Sequence, residues 1–121
     1  MINFLFLMAT ATASDVYEIC VHEKQLWNDR EQAWFSENTE TFFTKEPIQF
    51  IVHKNSFEMN RDTRNIVKRE TIENLPCFRE HQSSFVCLDT VNKKFLWEFH
   101  KRNGEVTRDV LTYCIKNGEP A

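Results

Sequence analysis

Glycine is scarce in this sequence, with Gly104 and Gly118 the only two among 121 residues. No glycine-rich loop is present to cradle a phosphate, and no G-x-S-x-G turn raises a catalytic serine. Metal-ligand spacing is missing as well. The histidines His22, His53, His81 and His100 form no H-E-x-x-H pair, and none stands two or four residues from another. The four cysteines lack the close pairing on which a tetrahedral zinc site draws. No apolar run approaches the ~20 residues that cross a bilayer as a helix. Charge of one sign is not in large excess, since 15 Lys and Arg stand against 18 Asp and Glu. A net charge of −3 gives no electrostatic footprint for nucleic acid and no polybasic patch for an anionic membrane. Arg61, Arg64, Lys68 and Arg69 are interspersed with Asp62 and Glu70, as on a solvated face. Repeats, low-complexity stretches and linkers are absent too, so the chain reads as one domain.

What is present is aromatic. Eleven Phe and three Trp residues, within a hydrophobic share of 41%, can fill a core. The first thirteen residues differ from the rest. Ile2 to Met8 is an uncharged apolar run, and Ala11-Thr12-Ala13 has the small-x-small form of a signal-peptidase site. The expectation is a leader over 1–13 and a mature domain over 14–121, exported to the periplasm or beyond. Cysteine usage agrees, because Cys20, Cys77, Cys87 and Cys114 all follow the proposed cleavage point. In an oxidising compartment four cysteines read as two disulfides with three open connectivities. The preferred pairs are Cys77–Cys87, which closes a short loop, and Cys20–Cys114, which ties the first predicted strand to the last.

Period-2 alternation dominates the mature chain. Tyr17, Ile19 and Val21 alternate with Glu18, Cys20 and His22, as on a strand with one face buried. Residues 23–41 are polar, hold Leu26, Trp27, Trp34 and Phe35, and fit either a short helix or a pair of strands. Strand signals return at Ile48–His53 and at Phe57–Met59, with an Asx-rich turn over 60–63. Glu73-Asn74-Leu75-Pro76 breaks the pattern. Ser84–Leu88 is a strand, and Phe95, Trp97 and Phe99 form an aromatic stripe on the next. Asn103-Gly104 supplies a hairpin turn, and Val106–Ile115 returns. Residues 117–120 read as a frayed tail. Short strands at regular intervals predict an all-β fold, a small antiparallel barrel or sandwich.

The layout Val16-Tyr17-Glu18-Ile19-Cys20, a polar middle, Phe85-Val86-Cys87, an aromatic hairpin over 95–110 and a closing Cys114 resembles small exported bacterial β-barrel proteins. The C-type lysozyme inhibitors share that general shape. The resemblance implies a short periplasmic barrel with a disulfide between chain ends. It lies in strand and cysteine order, and no loop motif of that family is matched.

No residue is named as catalytic and no cofactor or metal is implied. Ser83 and Ser84 stand near Glu80 and His81, but adjacency alone does not build a nucleophilic site. Glu98 alternates away from Trp97 and Phe99, which points it to solvent. The leading expectation is a non-enzymatic binding protein of the inhibitor or immunity kind, whose partner is another protein met by Trp27, Trp34 or Phe35. A second is a carrier of a small apolar ligand in a pocket lined by Phe95, Trp97 and Phe99. A third is a hydrolase built from histidine and carboxylate side chains, which would need to converge in one cleft.

Overall fold

A computed structural model of the protein describes residues 14–41, 48–81 and 84–121. The expected leader, 1–13, lies outside the described residues. Among those described there is no helix, and eleven strands follow one another. They are β1 (Asp15–Asn28), β2 (Ala33–Thr41), β3 (Ile48–Val52), β4 (Ser56–Met59), β5 (Asp62–Asn65) and β6 (Lys68–Ile72). Then come β7 (Leu75–His81), β8 (Ser84–Asp89), β9 (Lys94–His100), β10 (Val106–Lys116) and β11 (Glu119–Pro120). All pairings are antiparallel, in the order β5-β4-β3-β1-β10-β9-β8-β7-β6, with β2 also on β1 and β11 on β10. The sheet curls into a half-barrel, and the all-β expectation holds.

Over 23–41 the pair of strands prevails and the short helix is excluded. Trp27 and Trp34 lie seven apart, a spacing that fits two helical turns and a tight hairpin equally well. Here they are cross-strand partners, with ring centroids 5.3 Å apart. A register shift at Lys24/Gln25 breaks the alternation, which is why period 2 is hard to read in this segment. The arm therefore extends β1 well past the strand that its first half makes with β3.

One face of the sheet carries the core. Tyr17, Ile19, Phe50, Phe57, Phe78, Phe95, Trp97, Leu111 and Tyr113 are buried together. Phe50 stacks on Phe95 at 4.1 Å, and Trp97 meets Phe57 edge-on at 5.3 Å. The Phe95/Trp97/Phe99 stripe, expected as core or as a ligand pocket, is packed core. Phe95 is fully buried, and Phe99 stacks on Trp97 at the margin.

A buried polar chain ties the curl together. Trp97 Nε1 donates to Ser84 Oγ at 3.0 Å, Ser84 Oγ donates to Glu80 Oε2 at 3.1 Å, and Arg64 donates to Glu80 Oε1 at 2.6 Å. This links β9 to β8, β7 and β5, while Val67 N donates to Arg79 O at 2.8 Å nearby. Both cystines are formed. Cys20–Cys114 joins β1 to β10, and Cys77–Cys87 joins directly opposed positions of β7 and β8. The first long strand and the last do lie side by side, yet at the middle of the sheet and not at a closing seam.

Turns solve the glycine shortage with other residues. The two-residue hairpin loops Asn60-Arg61 and Glu73-Asn74 place four non-glycine residues at positive φ, between 50° and 71°. Glu73-Asn74 is thus a tight hairpin between β6 and β7, where the sequence showed only a broken pattern. The tail is corrected likewise. Asn117-Gly118 turns the chain so that β11 pairs with β10, and Lys93 Nζ donates to the Ala121 carbonyl at 2.6 Å.

Candidate functional site

Side chains that alternate with the core stripe point to the other side of the sheet, and there they line a groove of about 460 Å³. From β9 come Leu96, Glu98 and His100, from β8 Phe85 and Cys87, and from β10 Val106 and Arg108. Ile72, Glu73 and Leu75, at the β6–β7 turn, form one wall. Trp27 and Trp34, from the arm, form the opposite wall. The volume falls in the range of small-ligand and side-chain pockets, ~300–1,000 Å³.

Arg108 is the chemical centre of this groove. Its guanidinium lies 4.3 Å from the ring centroid of Trp34, a cation–π contact, and its Nε donates to Gln25 Oε1 at 2.6 Å. Among the described residues no carboxylate pairs with it directly. Burial pushes the Arg108 pKa down, while the charges of Glu98, Glu23 and Glu73 pull it back up. A guanidinium held by one neutral hydrogen bond and an aromatic face keeps donors to offer a partner. His100 Nε2 lies within hydrogen-bond reach of Glu98 Oε2, at 3.2 Å. The sequence reading sent Glu98 into open solvent. It does face away from Trp97 and Phe99, but the arm overhangs that side, and Glu98 is half-buried in the groove.

Of the three aromatics proposed for a partner, Trp27 and Trp34 meet in the groove wall, whereas Phe35 stands on β2 with half its surface exposed. Arg108, Gln25, Phe85 and Leu96 were not singled out from the sequence. The usable signal was parity, since positions opposite an aromatic stripe become a second face once something covers them.

The histidines do not converge. Each sits beside a carboxylate: His22 with Asp109 at 2.8 Å, His53 with Glu58 at 2.6 Å, His81 with Glu80 at 3.8 Å, and His100 with Glu98. His53 Nδ1 also lies 2.7 Å from Ser14 Oγ, so the start of β1 is latched to the turn before β4. No three His, Cys, Asp or Glu side chains among the described residues gather as a metal site. Ser84 is fully buried with its hydroxyl engaged by Trp97 and Glu80, and Ser83 lies outside the described residues. What the described geometry offers is an aromatic, partly charged recess, suited to holding a group in place. No family model, curated protein or solved structure matches the chain.

Proposed function

We propose that this is an exported, non-enzymatic binding protein whose partner is another protein, docked at the Trp27/Trp34/Arg108 groove. The observation that carries the reading is the half-buried Arg108 stacked on Trp34 inside an aromatic, partly charged recess. Trp and Arg in a central, partly desolvated pocket are the residue types that dominate binding energy at protein interfaces. Two disulfides fit an oxidising compartment outside the cytosol, and they reduce the ordering entropy that binding would otherwise cost. The resemblance in layout to C-type lysozyme inhibitors supplies a concrete case, an inhibitor of a cell-wall-degrading enzyme.

A lysis assay tests that case. Lysozyme acting on cell walls is expected to slow when the purified protein is added, and Trp34→Ala is expected to restore most of the rate. Lysis undiminished at excess protein rules the inhibitor case out.

A further inference from the structure

Resting on that reading, we infer that the partner docks by adding an extended, basic segment as a new strand along the outer edge of β2. Among the described residues β2 has one strand neighbour, β1. Alternate backbone N–H and C=O groups of an edge strand point away from its only neighbour, which makes the edge a template for pairing. Natural edges are blunted with lysine, proline, bulges, charges or brevity. Ala33–Thr41 is nine residues long without Lys, Arg or Pro. What guards it is a pair of carboxylates and the extra residue Glu37 opposite Lys24 and Gln25, a guard that turns away acidic strands and attracts basic ones.

Charge selects the occupant. Residues 23–41 carry Glu23, Asp29, Glu31, Glu37 and Glu40 against Lys24 and Arg30 alone. That imbalance equals the net charge of the whole chain, −3, so the remainder is balanced. Every charged side chain on β2 is a carboxylate, Glu37 and Glu40, and both residues are exposed. Opposite charges across antiparallel strands contribute roughly 0.2–1 kcal/mol per pair, and like charges cost a similar amount. An acidic strand would be repelled there and a neutral one would gain no charge pairing; a segment rich in Lys or Arg would gain it.

Position joins the edge to the groove. Trp34 belongs to β2 and also forms the groove wall, while its neighbour Phe35 is half exposed on the other face. A strand laid beside β2 therefore sits at the groove's rim, and its alternate side chains can enter the recess that Arg108 lines. Backbone pairing would supply much of the affinity and the groove the selection of side chain.

Three synthetic nonapeptides test this with the full, oxidised protein: alternating Lys/Val, alternating Glu/Val, and a Lys/Val version interrupted by proline. Amide hydrogen exchange of β2 and tryptophan emission are the readouts. The basic peptide is expected to protect β2 amides, to lose ~tenfold or more in affinity between low and high salt as charges are screened, and to fail against Glu37→Lys/Glu40→Lys. Equal binding of the proline-interrupted peptide would reduce the effect to bulk charge and overturn strand addition. Equal binding of the acidic peptide would overturn the choice of occupant. Unprotected β2 amides with all three peptides would overturn the inference, and if Trp34→Ala still relieved lysozyme inhibition, the docking groove itself would stand.

Discussion

Arg61 holds a φ of 71° at the second position of the Asn60-Arg61 hairpin loop, a backbone region in which a β-carbon is crowded. The left-handed conformation costs an L-residue roughly 1–2 kcal/mol relative to what glycine feels. Asn-Gly is the favoured pair for a two-residue hairpin, and Arg61 is exposed. Arg61→Gly is therefore expected to raise stability by about 0.5–1 kcal/mol, after the greater freedom of glycine in the unfolded chain is set against the relief. A urea midpoint that fails to rise would mean the turn is not strained at this residue. Tyr17 makes a different prediction at the same scale. Burial first, then the charge of Asp15 and the neighbouring Tyr113 hydroxyl, push its pKa up to about 12. An unfolded tyrosine ionises near 10, so the unfolded state loses its proton before the folded state does. Stability is then complete below about pH 10 and declines as pH climbs from 10 towards 12. Denaturation midpoints measured at pH 9 and pH 11 should fall between the two, and Tyr17→Phe should shrink the fall. Tyr113, also raised by burial, accounts for part of what remains. An unchanged fall in Tyr17→Phe would show that another group drives the alkaline loss.

Strands whose alternation is unbroken were legible element by element, and those bent by a bulge were not. Ile48–His53, Ser84–Leu88 and the aromatic run from Phe95 announce themselves because every second residue is large and apolar. The Asn103-Gly104 turn is equally plain, and it lies in the loop between β9 and β10. By contrast, Cys20 on β1 and Glu37 on β2 are extra residues in their ladders, so the simple period slips within both strands. The Glu73-Asn74 and Asn117-Gly118 turns show the same limit. A Glu in the left-handed region contradicts its intrinsic preference, and the β6–β7 ladder that closes on Ile72 and Leu75 holds it there. For the groove the aromatic members could be picked out and the charged ones could not. Trp27 and Trp34 stood out by size in a polar stretch. Arg108 sits in a strand whose neighbours look ordinary, and its environment is created by Gln25 and Trp34, from an arm far earlier in the chain. Nothing local to Arg108 encodes that contact.

The whole molecule depends on bringing β1 and β10 together at the centre of its sheet, although they lie far apart in the sequence, near the two ends of the described residues. Every strand order through the middle passes across that junction: β3, β4 and β5 hang from one side, β9 to β6 from the other. Loop closure over so long a separation is the largest single entropic demand in the topology. Cys20–Cys114, with a sequence separation of 94, meets it by restricting the unfolded chain, an effect of ~4–5 kcal/mol on the chain-entropy estimate. Cys77–Cys87, separated by 10, restricts far less and is worth ~3 kcal/mol on the same estimate. Replacing each pair with alanine should separate the two roles. Cys77 and Cys87 are buried, so their removal also leaves small voids in the packing and the two losses in stability will lie closer than the loop lengths alone imply. The slope of stability against urea is the sharper measurement, because it follows the surface newly exposed on unfolding. Losing the long closure lets the unfolded chain expand and should steepen that slope, whereas losing the short one should leave it nearly unchanged. Equal slopes in the two variants would place the long disulfide's contribution in the folded sheet, in the β1–β10 contact itself, and not in the unfolded chain it is expected to constrain.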